Sequence, residues 1–114
     1  MNYSPYKISE NFIKKKLNLI KNGSLDLTNY NKQNQIFGET NKGINADIQV
    51  TNPKFYFNII KGGSTGLAEA YVRDEFTTSD LTTLIEFTAR NIDLTHRYSG
   101  ILTNRFVKNI LRNL

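Results

Sequence analysis

Apolar positions recur along this chain with two periods. In residues 10–24, ENFIKKKLNLIKNGS, the residues Ile13, Leu17 and Ile20 share one face while Lys14, Lys15 and Lys21 fall off it. That spacing predicts a short amphipathic helix, stopped by Asn22-Gly23, two residues that tolerate a left-handed backbone. Alternation then takes over. Leu25 and Leu27 alternate with polar neighbours in residues 24–30, residues 35–40 (QIFGET) read as a return strand, and Ala46, Ile48 and Val50 alternate in residues 46–51. Period-2 patterning of this kind predicts half-buried strands, joined here as a three-stranded meander. Asn52-Pro53 has the form of a helix start, with Asn52 as the cap and Pro53 in the first turn. Residues 54–63, KFYFNIIKGG, form a short apolar helix that Gly62 and Gly63 should end. Residues 67–76 read as a further strand or an irregular crossing.

Thr78 or Ser79 is the predicted cap of a helix over DLTTLIEFTARN, where Leu81, Leu84, Ile85 and Thr88 line one side and Asp80 suits the first turn. The tail ILTNRFVKNILRNL repeats the amphipathic form, with Leu102, Phe106, Ile110 and Leu114 on one side and Arg105, Lys108 and Arg112 as its charges. Together these elements predict an α+β domain, a small, mainly antiparallel sheet with packed helices. Residues 1–10 are expected to be a flexible lead-in and 11–95 the domain. Residues 96–114 are expected to be a basic amphipathic helix or the start of a linker.

Composition narrows the chemistry. The chain has 114 residues, 39% of them hydrophobic and 22% charged, which suits one folded domain. Cysteine is absent, which excludes disulfides, thiolate metal ligands and cysteine nucleophiles. A single histidine, His96, is too few for a multi-histidine metal site. No apolar run approaches the ~20 residues of a spanning helix, and the N-terminus lacks the apolar core of a secretory signal, so a cytoplasmic protein is expected. The net charge of +5 favours an anionic partner, a phospholipid surface or nucleic acid. Nucleic acid rests on charge alone and ranks below lipid.

Motifs of phosphoryl, hydride or acyl transfer are missing from the sequence. Gly62-Gly63-Ser64-Thr65-Gly66 lacks the lysine of a phosphate loop and follows an apolar helix, so a helix stop and turn is the favoured reading. Glu69, Asp74, Glu75 and Asp80 cluster locally. Asp80 is explained by a helix start and Glu75 by solvation, whereas Glu69 has apolar sequence neighbours and reads as a buried structural acceptor. His96 has no partner nearby in sequence and reads as a surface or capping residue. Phe55, Tyr56 and Phe57 are consecutive, and one helix cannot bury all three on one face. At least one should meet a partner or a lipid. Cations opposite Phe, Ile and Leu on the two basic helices fit a membrane surface, although such helices commonly face a core.

The stretch ADIQVTNPKFYFNIIKGGSTGLAEAYVRDEFTTSDLTTLIEFTARN resembles the N-terminal domain of cyclopropane-fatty-acyl-phospholipid synthases (the mycolic acid cyclopropane synthase-like family). The resemblance is carried by Asn52-Pro53, Phe55-Tyr56, Gly62-Gly63, the run Gly66-Leu67-Ala68-Glu69-Ala70-Tyr71, Phe76 and Asp80-Leu81-Thr82. It covers about residues 11–91. Arg73-Asp74 stands where the family tends to have Asp-Gly, and Phe76 where it often has Trp. A looser similarity to sterol-carrier-like lipid-binding domains favours a small sheet with an apolar groove.

The resemblance implies a non-catalytic module. In the family, a separate domain binds S-adenosylmethionine and builds a methylene bridge across an acyl double bond of a phospholipid. No motif of that domain is found here, so no catalytic, cofactor-binding or metal-binding residue carries over. The chain is not expected to be an enzyme on its own. Expected lipid or interdomain contacts are Phe55, Tyr56, Phe57, Leu67, Glu69, Tyr71 and Phe76, with Lys14, Lys15, Lys16, Arg105, Lys108 and Arg112 meeting an anionic surface. The expected partners are the inner face of the membrane, a methyltransferase domain in cis or trans, and a second copy of the chain. The alternative is a stand-alone lipid-binding or scaffold protein acting with a separate methyltransferase.

Overall fold

A computed structural model describes residues 4–91. Its elements run α1 (Pro5–Leu17), β1 (Gly23–Thr28), β2 (Asn34–Gly38), β3 (Ile44–Val50), α2 (Lys54–Val72), β4 (Phe76–Thr77) and α3 (Leu81–Asn91). The domain is α+β, with a four-stranded sheet in the order β2-β1-β3-β4.

Helix α1 starts well before Glu10. Ser4 caps it, its hydroxyl accepting the Lys7 N–H at 3.2 Å, and Pro5 occupies the first turn, where its missing N–H costs nothing. The expected lead-in is therefore helical from Pro5 onward, and Ser9 and Glu10 are buried. The helix closes at Leu17, ahead of the predicted Asn22-Gly23 stop, with Lys14, Lys15 and Lys16 in its last turn, where cations suit the helix dipole.

The sheet is not a meander. β1 and β2 form an antiparallel hairpin, but β3 pairs in parallel with the other edge of β1, matching Leu25 to Ala46 and Leu27 to Ile48. β4 closes the far edge antiparallel to β3. The chain reaches the β3 edge of β1 by crossing the start of that strand at very close range. A β-carbon on Gly23 would run into the Ile44 carbonyl, and Gly23 holds φ at 120°. Only glycine permits both the approach and that backbone angle. On the covered face Leu25, Leu27, Phe37, Ala46, Ile48 and Val50 join one core with residues of all three helices.

Helix α2 corrects the expected break at Gly62-Gly63 and the expected strand or irregular crossing over 67–76. Helical backbone continues to Val72, and only Phe76 and Thr77 are extended. Yet α2 is not straight. The rings of Phe55 and Tyr71 both contact the Phe76 ring, at centroid distances of 5.4 and 5.7 Å. In a straight helix those two residues would stand about 24 Å apart. A β-carbon on Gly66 would also press on the Asn58 carbonyl and lie 3.3 Å from the Ile59 Cα. The helix therefore doubles back near its glycines, and its two arms pack against each other.

Asp80 itself caps α3, in place of Thr78 or Ser79. Its carboxylate accepts the Thr83 N–H at 3.1 Å, and its carbonyl accepts the Leu84 N–H. Leu84, Ile85 and Phe87 face the core, and Thr88 is half-buried. The predicted tail helix and His96 lie outside the described residues.

Candidate functional site

Three groups of polar or exposed side chains stand out. The first is buried between α1, the β1–β2 loop and α2. Glu10 is 1% exposed; its Oε2 accepts from Lys14 Nζ at 2.8 Å and Asn29 Nδ2 at 2.9 Å, and its Oε1 accepts from Tyr30 Oη at 2.9 Å. Asn29 in turn accepts the Tyr56 hydroxyl at 2.7 Å. Burial by itself would raise the Glu10 carboxyl, but the bonds from Lys14 and Tyr30 and the charges of Lys14 and Lys7 outweigh it and hold the group below the usual range. Tyr56 is pushed well above an ordinary phenol by burial, then by the nearby Glu10 charge. The Asn29 and Tyr30 bonds to Glu10 and the Tyr56 bond to Asn29 cross between elements, so this network ties α1 and α2 to the β1–β2 loop.

The second group lies at the junction of β3, β4 and α3. Asp47 accepts the Ser79 N–H at 2.8 Å and the Ser79 and Thr78 hydroxyls. Burial pulls its carboxyl upward, and the Ser79 bonds, with Gln49 and Thr78, bring it below the ordinary value. Like Glu10, it is bound up in structure. Among the described residues no group of His, Cys, Asp and Glu could hold a metal ion.

The third group is the segment that carries the resemblance. Phe55, Tyr56, Leu67 and Phe76, expected as contact residues, belong to the core and offer no surface to a partner while this packing holds. The Phe55 ring packs edge-on against Phe76 and Tyr56, so the fold-back of α2 gives its aromatic arm a second surface to bury against. Phe57 is half-buried, its ring edge-on to Tyr6 with centroids 5.9 Å apart. Glu69, expected to be buried, is exposed and pairs with Arg73 at 3.2 Å. Glu75, expected to be solvated, is buried and accepts from Asn58 Nδ2 at 2.8 and 3.1 Å. Outward-facing apolar residues on α2 are Ile60, Tyr71 and Val72, the last 80% exposed. Asp74 takes φ 58°, the left-handed conformation in which glycine is unstrained.

The expected cations divide as well. Lys14 is half-buried and engaged with Glu10, whereas Lys15 and Lys16 are exposed. Arg105, Lys108 and Arg112 lie outside the described residues. What the sequence reading missed is the outward side of α1. Ile8, Phe12 and, two residues past the helix, Leu19 are 55%, 46% and 73% exposed, and Lys16 Nζ stands 5.3 Å from the centre of the Phe12 ring. Their 4–7 spacing on the side away from Ile13 and Leu17 was the available signal. No helix among the described residues is long and apolar enough to cross a membrane. Comparison with known protein families, curated proteins and solved structures gives no match.

Proposed function

We propose that this domain is a non-catalytic accessory module of a cyclopropane-fatty-acyl-phospholipid synthase. It works, in cis or in trans, with a methyltransferase domain that uses S-adenosylmethionine, at the periphery of a phospholipid membrane. The observation that carries this reading is how the segment resembling that family divides. Its Phe55, Tyr56, Leu67 and Phe76 support the fold, and its Glu69–Arg73 edge points outward with Tyr71 and Val72 uncovered. A signature spent on a fold and on one apolar edge suits a positioning module. Its buried carboxylates, Glu10 and Glu75, each accept from side chains of other elements.

The edge is the surface that would meet the catalytic domain. Val72→Asp places a charge there without touching the core. In cells that depend on this protein, the variant should lower the cyclopropane content of phospholipid acyl chains, measured by gas chromatography of their methyl esters. Undiminished cyclopropane content in that variant would remove the proposal. The intact mass of the native polypeptide separates the two arrangements: near 13.1 kDa the methyltransferase acts in trans.

A further inference from the structure

We propose that the outer face of α1 is a lipid-inserting surface that lies flat in the headgroup layer of an anionic bilayer. This deepens the module reading and rests on it. A helix of a small domain ordinarily has one apolar side. Helix α1 has two. Glu10, Ile13 and Leu17 face the core, while Ile8 and Phe12, continued by Leu19, line the opposite side and are exposed.

The charges that α1 and Lys21 bring to the outer stripe have one sign. Glu10 is the only acid in α1, and it is turned inward and paired with Lys14 and Lys7. The outward charges are Lys15 and Lys16, with exposed Lys21 beyond the helix. Three large apolar side chains flanked by lysines match a leaflet that is anionic at the phosphates and apolar just beneath. Other occupants fit less well. Residues 92–114 carry Arg97, Arg105, Lys108 and Arg112 against Asp93, and this like charge opposes docking on a basic face. A second copy would bring lysines against lysines. Nucleic acid would leave Ile8 and Leu19 without an apolar environment.

The chain contains no tryptophan, so Phe12→Trp creates a single reporter on the stripe. With vesicles of phosphatidylglycerol and phosphatidylcholine, its emission should shift to the blue and be quenched by lipids brominated near the glycerol end of the acyl chain. Pure phosphatidylcholine should produce a much weaker response. Adding Lys15→Glu and Lys16→Glu should weaken binding at least ~tenfold. Circular dichroism checks that these surface variants are folded.

Several outcomes would overturn the assignment. Binding without a blue shift would mean contact through charge and no insertion. A blue-shifted spectrum before lipid is added would mean that a second copy or the C-terminal residues cover the stripe. A shift produced by a single-stranded oligonucleotide and not by vesicles would assign the face to nucleic acid. Failure here is distinguishable from failure of the module reading. If the Phe12→Trp reporter is silent toward vesicles but Val72→Asp still abolishes cyclopropane formation, the module stands and only its docking face is wrong.

Discussion

Glu10→Gln tests the buried network most directly, because it removes a charge and almost no volume. The glutamine oxygen can still accept from Lys14 and Asn29. Its amide can donate to Tyr30, whose hydroxyl rotates from donor to acceptor. What disappears is charge assistance, and a hydrogen bond to a charged group is worth about 1.5–3 kcal/mol against about 1 for a neutral one. Lys14 and Tyr30 reach solvent and recover part of the loss, so the cost near pH 7 should be about 1–2 kcal/mol. Glu10→Ala should cost more, about 3–5 kcal/mol, because Asn29 is left buried without its acceptor.

The pH dependence gives the sharper check. The folded Glu10 carboxyl sits below its unfolded value, about 4.3 for a free glutamate. Between those two values the unfolded chain binds more protons, so stability must fall as the pH falls. Glu10 therefore contributes fully above about pH 5, and its contribution is lost as the pH drops through the folded value. Urea unfolding of wild type and Glu10→Gln from pH 7 to pH 3 should show curves that converge toward the acid end. A constant gap across that range would refute the claim that Lys14 and Tyr30 hold the carboxylate ionised.

Three more substitutions probe α2. Gly66→Ala should destabilise by about 1–3 kcal/mol, since its β-carbon meets the Asn58 carbonyl and neither backbone can yield cheaply. Gly62→Ala meets only the flexible Glu69 side chain at 3.5 Å and should stabilise by about 0.5–1 kcal/mol through helix propensity. Thermal melts should thus move in opposite directions for the two glycines. Tyr56→Phe should cost about 1–3 kcal/mol, because the buried Asn29 oxygen loses its donor; an unchanged melting temperature would argue that water reaches Asn29.

The strands were legible because Leu25, Leu27, Ala46, Ile48 and Val50 alternate, and alternation fixes which face is buried. It does not fix the neighbouring strand. The parallel β1–β3 pair needs the backbone to pass very close to Gly23, a long-range requirement that no local pattern encodes. The glycines of residues 62–66 mark a place where the chain turns, yet the helix runs on through the turn. Glu69 was misplaced by reading its nearest neighbours in sequence. On a helix the relevant neighbours stand three and four residues away, and one of these is Arg73. The same rule would have found Glu10, which fills an apolar position in the 4–3–4 series Tyr6, Glu10, Ile13, Leu17. The outward stripe of α1 escaped notice because the inner stripe already accounted for the helix.

The doubled-back α2 also restricts how this chain can vary in length. One residue inserted in either arm would rotate everything beyond it by about 100°. Phe55 or Tyr71 would then swing away from Phe76, and Asn58 from Glu75. The arms must therefore keep their register. An insertion between Lys61 and Thr65 falls at the tip, where an extra residue can loop out without turning either arm, so natural insertions and deletions in chains of this kind should collect at the tip and spare the arms.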